Sequence, residues 1–233
     1  YDGSGLLTQT VEAKSQANQR TTNLTWDTAL RNPLTRTVLD TQNNLFEQSG
    51  WAYNSRGQST ARCEIDPTVP AAAAYTCAAT GTVPAGVRRW TYTYCDAVDR
   101  TQCPLIGLLL SATGPRTDLT QTTSYAYYLD DTSTHRHGDL KTATDALGHV
   151  TTVASYDGAG RITRTIDPNN SVTDYTYTPR GWLASRTVRF NPDGSADTYN
   201  DATTKISYTA YGEVQTITDA DGVKITYGYD AAH

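Results

Sequence analysis

The chain has no methionine and only two phenylalanines in 233 residues, so large flexible core fillers are scarce and helical packing has little to build on. No apolar run approaches the roughly 20 residues of a membrane span, and the best stretch, residues 105–110, is far too short. Basic charge is also short: 19 Lys and Arg face 24 Asp and Glu, a net charge of -5. That balance argues against nucleic-acid binding, which needs a basic stripe. Hydrophobic content of 37% is low for one compact core, yet it suits strands that bury one face and wet the other. The four cysteines contain no Cys-x-x-Cys pair, which weighs against zinc. With no methionine there is no start residue, and both ends read as cuts through a longer array.

What the chain has is threonine, 16 tyrosines and 17 glycines. Thr and Tyr favour a pleated, half-buried surface, and Gly, Asn and Asp supply turns, so the composition predicts an all-β protein. Residues 156–177 set the pattern: a turn at Asp157-Gly158-Ala159-Gly160, a Thr/Ile-rich run at 162–166, a second turn opening on Asp167-Pro168, and a returning run ending in Tyr175-Thr176-Tyr177. The unit recurs at Tyr177 with Gly181, at Tyr208 with Gly212 and the inner turn Asp219-Ala220-Asp221-Gly222, and at Tyr229-Asp230 after Tyr227. The chain also opens on Tyr1-Asp2-Gly3-Ser4-Gly5. Self-similarity on this scale predicts antiparallel hairpin repeats in a curved sheet, one array over residues 1–233 of about eight units, regular from about residue 138.

Two insertions interrupt the pattern, at residues 67–87 and 191–204. Both are expected to stand outside the sheet, the first as a loose Ala/Pro/Gly excursion with few side chains to pack. Four cysteines allow three pairings. Their positions around the excursion favour Cys63 with Cys77 and Cys95 with Cys103, with free thiols or a metal as the alternatives, and disulfides imply an oxidising compartment.

Aromatic residues stand two apart on the returning strands, as in Trp90/Tyr92/Tyr94 and Tyr175/Tyr177. Residues i and i+2 share a face, so these rings are expected to line up in columns that fix register. A sugar-binding platform is the functional alternative. Asp219-x-Asp221-Gly222 lacks the later acidic ligand of a calcium loop and reads as a hairpin turn. His135-Arg-His137 reads as a solvated loop in preference to a metal ligand pair. No catalytic, cofactor or metal residue is predicted.

The unit Tyr-Asp-x-x-Gly-Arg-Ile-Thr-x-x-x-Asp-Pro-x-x-x-x-Thr-x-Tyr-x-Tyr, as it stands at residues 156–177, resembles the YD repeat of the bacterial RHS-repeat proteins, found also in toxin-complex proteins and teneurins. The match departs at Trp26 and Asn54, and at Cys95, which separates Tyr94 from Asp96. The resemblance implies a β-sheet coiling into a shell that encloses a C-terminal toxic domain, in a secreted or cell-surface bacterial protein. Its partners would be the remainder of the parent shell and the enclosed toxin. A carbohydrate- or partner-binding module is the rival reading. The self-cleaving segment of the family is not matched, since Asp66-Pro67 and Asp167-Pro168 are turn elements.

Overall fold

The computed structural model describes residues 1–230. Sixteen strands follow one another in a sheet in chain order. They are β1 (Gln9–Glu12), β2 (Arg20–Asp27), β3 (Asn32–Leu39), β4 (Leu45–Tyr53), β5 (Ser59–Ile65), β6 (Val87–Tyr94), β7 (Leu109–Thr113), β8 (Thr122–Tyr127), β9 (Leu140–Thr144), β10 (Val150–Tyr156), β11 (Ile162–Ile166), β12 (Val172–Tyr177), β13 (Leu183–Val188), β14 (Ala202–Tyr208), β15 (Val214–Thr218) and β16 (Lys224–Thr226). Each hairpin is antiparallel, so the expected all-β fold is what the chain adopts. The one helix among the described residues, α1 (Pro70–Ala73), is a single turn inside the first insertion. Proline at its start presets the backbone angle and three alanines follow.

The chain divides into two compact units, one comprising Tyr1–Asp96 with Ile106–Ser124, the other Ala97–Leu105 with Tyr125–His233, of which 231–233 fall outside the described residues. In the first unit the core lies where β4, β5 and β6 meet the insertion. Ala61, Cys63, Ile65 and Val87 from the strands are buried together with Ala72 and Cys77 from the insertion. This corrects the picture of a loose excursion. Residues 67–86 do leave the sheet, while Val87, expected outside it, pairs with Ile65 as the first residue of β6; the small residues of the segment allow close approach, and Val69, Tyr75, Ala79 and Val83 pack around the same cluster. Gly50 of β4 makes the room, because a Cβ there would lie 2.9 Å from Cys77 Cβ. Arg89 of β6 holds the far side through Nη1, whose two hydrogens are shared among the carbonyls of Ala78, Thr80 and Gly81 and the Tyr75 hydroxyl at 3.0 to 3.2 Å.

The Cys63–Cys77 disulfide runs through this core. Cys95 and Cys103 are disulfide-bonded as well, and no described cysteine is free. Closing a loop of about 15 residues stabilises the fold by about 3 kcal/mol in the chain-entropy account.

In the second unit few apolar side chains are buried, Cys103, Val153 and Val172 among them, and polar pairs run across the strands. Threonine and serine hydroxyls pair across strands at Ser155–Thr163, Thr176–Ser185, Thr187–Thr203 and Ser207–Thr216, at 2.6 to 2.9 Å. Cross-strand pairs of this kind are the unit of sheet stabilisation, and they account for the threonine content. Arg164 of β11 sits opposite Asp174 of β12. Asp174 bonds both Arg164 and Arg189, and Arg189 continues to Asp201. This chain of charges anchors the second insertion, since Arg164 donates to the Gly194 carbonyl and the Phe190 amide donates to Asp201 Oδ1; contrary to the expectation for 191–204, the insertion ends at residue 201, because Ala202, Thr203 and Thr204 pair with β13 as the start of β14. Arg164 first, with help from Arg189, holds the Asp174 carboxyl below its usual range.

Candidate functional site: the repeat turns

The residues singled out by the repeat converge on one construction, a five-residue turn. In the turn at Asp157, the amides of Ala159 and Arg161 donate to Asp157 Oδ1 at 2.9 and 3.0 Å. The Asp157 amide donates to the Arg161 carbonyl, and the Gly160 amide donates to the Asp157 carbonyl. Gly160 has φ of +76°, a region open to glycine without steric cost. One aspartate therefore accepts from three amides of the turn, those of Ala159, Gly160 and Arg161. Hydrogen bonding from the Arg161 side chain, then from its amide, lowers the Asp157 pKa.

The same side-chain pattern recurs at Asp2, Asp40, Asp145, Asp167 and Asp219. Asn54 reproduces it with its amide oxygen. Thr178 and Thr209 use a hydroxyl in the turns of Gly181 and Gly212. At Asp40 and Asp167 the left-handed position falls to Asn43 and Asn170, both with φ of +63°. Asp221-Gly222 is thus half of a hairpin turn, with the Asp221 amide bound to Asp219.

Longer loops open between the same two backbone bonds. The Cys95 amide donates to Leu108 and the Gly107 amide to the Cys95 carbonyl, just as Tyr128 pairs with Asp139 and Gly138. Cys95 does not separate Tyr94 from its aspartate, as the sequence pattern implied; it occupies the aspartate position itself.

The repeat tyrosine has a separate task. Tyr156, the last residue of β10, donates its hydroxyl to the carbonyl of Leu140, the first residue of β9, at 2.7 Å. Tyr177 does the same to Ile162, Tyr208 to Leu183, Tyr229 to Val214 and Tyr94 to Ser59. Tyr53 reaches Pro33, and Trp26, which stands in a tyrosine position, sends its indole N–H to the Leu7 carbonyl. Tyr94, Tyr156, Tyr177 and Tyr208 thus bolt the end of one strand to the start of its predecessor, and Tyr53, Tyr229 and Trp26 make the matching bond at or near those positions. Burial pushes Tyr156 up to about 12, so the hydroxyl stays a neutral donor. Tyr175 makes only a long 3.4 Å contact to Thr165, Tyr227 is 42% exposed and Tyr1 is 84% exposed. Asp230 follows Tyr229 at the end of the described residues.

The expected ring columns are interrupted. Trp51 and Trp90 lie in one line across β4 and β6, but Arg62 of β5 stands between them. Its guanidinium lies 5.2 Å from the Trp90 ring centroid, and Arg161 covers Tyr177 at 4.7 Å. Among the described residues the ring-to-ring contacts are Trp182 with Tyr208 and Tyr128 with His135.

The residue after the left-handed turn position, Arg31 in the first case and glycine in the others, locks one turn to the next. In the first unit Asn32 lies under Gly57 and donates to its carbonyl, and Gln58 does the same at Gly107. In the second, a Cβ on Gly181 would meet Arg161 Nη1 at 3.1 Å, and one on Gly212 would meet Trp182 Cζ2 at 2.7 Å. The glycine is therefore required twice, for its backbone angle and for the side chain beneath it.

His135 and His137 do not converge. His135 pairs with Asp130 and His137 with Asp131, and the described residues hold no group of three or more metal-ligating side chains. Asp66-Pro67 opens the first insertion through the Asp66 amide and the Gly86 carbonyl, and Asp167-Pro168 begins an ordinary repeat turn.

The RHS Repeat family matches residues 135–170 and again 156–196. No curated protein matches the chain. Two solved structures are similar: "TcdB2-TccC3-TEV", at 16% identity and a TM-score of 0.30 over 99% of this chain, and "TcdB2-TccC3 without hypervariable C-terminal region", at 15% identity and 0.26 over 94%. The chain spans 16% and 15% of those chains, and overlaps this loose carry no argument by themselves. The two matched segments overlap on the hairpin whose Asp157 turn and Tyr177 bolt recur along the sheet, so residues 135–196 carry RHS repeats.

Proposed function

We propose that this chain is a length of structural wall in an RHS-repeat shell, part of a larger secreted or cell-surface bacterial protein that encloses or delivers a toxic domain, and that it performs no catalysis of its own. The observation that carries the reading is the locking of successive turns. Arg161 beneath Gly181 and Trp182 beneath Gly212 make each hairpin a template for the next, which suits a sheet extended by adding units. The repeat tyrosines support the same reading, because their hydroxyls are engaged by backbone carbonyls. That arrangement favours packing over the rival glycan platform.

The test is electron microscopy of the complete parent protein, together with protease protection of the region beyond the repeats. A hollow β-walled particle that shields the enclosed region is expected. A solid particle, a protease-exposed downstream region, or saturable glycan binding lost on substituting the repeat tyrosines would overturn the proposal.

A further inference from the structure

We infer that the face of the sheet around Trp182, Ile206 and Tyr208 is a docking surface for an acidic peptide segment of a partner, which seats one apolar side chain in a cleft and lays carboxylates against Arg180 and Arg186. The cleft has a volume of about 430 Å³, with Pro179, Trp182, Ile206 and Tyr208 among its lining residues. The Trp182 and Tyr208 rings meet at 45° with centroids 5.1 Å apart, and rings tilted in this way leave part of each face uncovered. Ile206 stands two residues from Tyr208 on the same face of β14 and adds an apolar wall. Tyr208 spends its hydroxyl on the Leu183 carbonyl, so it offers the cleft its ring alone.

Charge selects the occupant. The Arg180 guanidinium lies 5.3 Å from the Trp182 ring centroid, and its Nη1 donates to the Ala210 carbonyl. Arg186 stands opposite Thr204, and Thr204 shares a face of β14 with Ile206 about 7 Å along the strand. Both arginines are exposed, and among the described residues neither is paired with a carboxylate. Their neighbours differ: Arg161 is held by Asp157, and Arg164 and Arg189 are held by Asp174. Asp174 pairs with Thr187, which follows Arg186 in β13, and so belongs to the opposite face of the sheet. Two uncommitted cations therefore flank an apolar cleft in a chain whose net charge is -5. A neutral or basic segment gains nothing from them, whereas carboxylates on either side of an apolar anchor match the anchor to the cleft and the charges to both arginines.

Fluorescence anisotropy of the whole chain with labelled seven-residue peptides, three Asp or Glu residues on each side of a central Phe, Trp or Leu, tests the surface. At least one of these peptides should bind saturably, and Ser in place of its central residue should weaken it on the order of 10-fold. Arg186→Glu should also weaken it on the order of 10-fold, whereas Lys205→Glu should leave it within about 2-fold, because Lys205 lies between Thr204 and Ile206 on the opposite face of β14. No saturable binding by any of the three peptides, equal weakening by Arg186→Glu and Lys205→Glu, or undiminished binding when Asn and Gln replace the acids of the peptide overturns the proposal. If Arg186→Glu disturbs the fold, the unaltered chain gives a second reading: raising NaCl from about 0.05 to 0.5 M must weaken binding several-fold, and an affinity indifferent to salt is again fatal.

Discussion

Replacing Gly212 with alanine separates the two duties assigned to a turn glycine. Its φ of +98° lies in the left-handed half of backbone space. An L residue there costs about 1–2 kcal/mol. The added Cβ would also sit 2.7 Å from Trp182 Cζ2, so the indole ring or the turn must shift. Overpacking of this kind costs a further 1–3 kcal/mol or so, for a total of about 2–5 kcal/mol. Gly160 is the matched control, with φ of +76° in the same type of turn and no atom within 4 Å of a built Cβ. Gly160→Ala should therefore cost only the backbone part, about 1–2 kcal/mol. In a Trp182→Ala background the obstruction is gone, and Gly212→Ala should fall to the Gly160 value. Urea unfolding of the four variants and the parent, with the slope checked for constancy, supplies the differences. Equal losses at Gly212 and Gly160, or a Gly212 penalty that persists without Trp182, would refute the claim that side chains under the glycines lock the repeats.

Three further outcomes follow from the same structure. Cys63→Ala with Cys77→Ala should lower stability by about 3 kcal/mol and open residues 66–86 to protease first, while an unreduced peptide map of the parent should contain the Cys63–Cys77 crosslink; an uncleaved insertion in the variant would contradict this. Tyr177→Phe keeps the ring under Arg161 and removes only the bond to the Ile162 carbonyl, so denaturant unfolding should show a loss of about 1 kcal/mol, and no loss would contradict the bolt. Asp174 has a lowered folded-state pKa, so its contribution is complete above the ordinary carboxylate value of 3.8 and disappears as pH falls through the lowered one. Melting temperature should thus drop below about pH 4, and Asp174→Asn should cost about 3 kcal/mol at pH 7 while flattening that acid limb. An acid limb unchanged in the variant would assign the pH dependence elsewhere.

Much of the fold was legible because its signals are local. Asp-x-x-Gly turns and Thr/Tyr/Ile runs sit within a few residues of one another, and residues 156–177 display both turns and both strands at once. What escaped lies between repeats. The partner of Gly212 is Trp182, and the partner of the Tyr208 hydroxyl is Leu183, so neither is visible from within one unit. The Arg164–Asp174 pair was within reach, because each residue stands three positions from the turn at 167–171 and a register count places them opposite one another. The packing of residues 66–86 was hidden by composition: alanine and glycine look like poor core material until a glycine such as Gly50 lets a backbone come close.

The insertions show why the pattern survives such variation. A repeat turn needs two backbone bonds at its neck, and any residue with an N–H and a C=O can supply them, as Cys95 and Tyr128 do. A side-chain acceptor, most often the aspartate and elsewhere Asn54, Thr178 or Thr209, is used where the turn is short, because it takes the amides that the tight path leaves unpaired. Longer loops carry that function inside themselves. Asp99 accepts from the amides of Thr101, Gln102 and Cys103, and Asp131 accepts from His137. The Tyr-Asp signature therefore fades where the loops lengthen, while the neck that sets the strand register stays the same. For this reason the sheet continues through residues 95–108 and 128–139, where the sequence repeat is hardest to read.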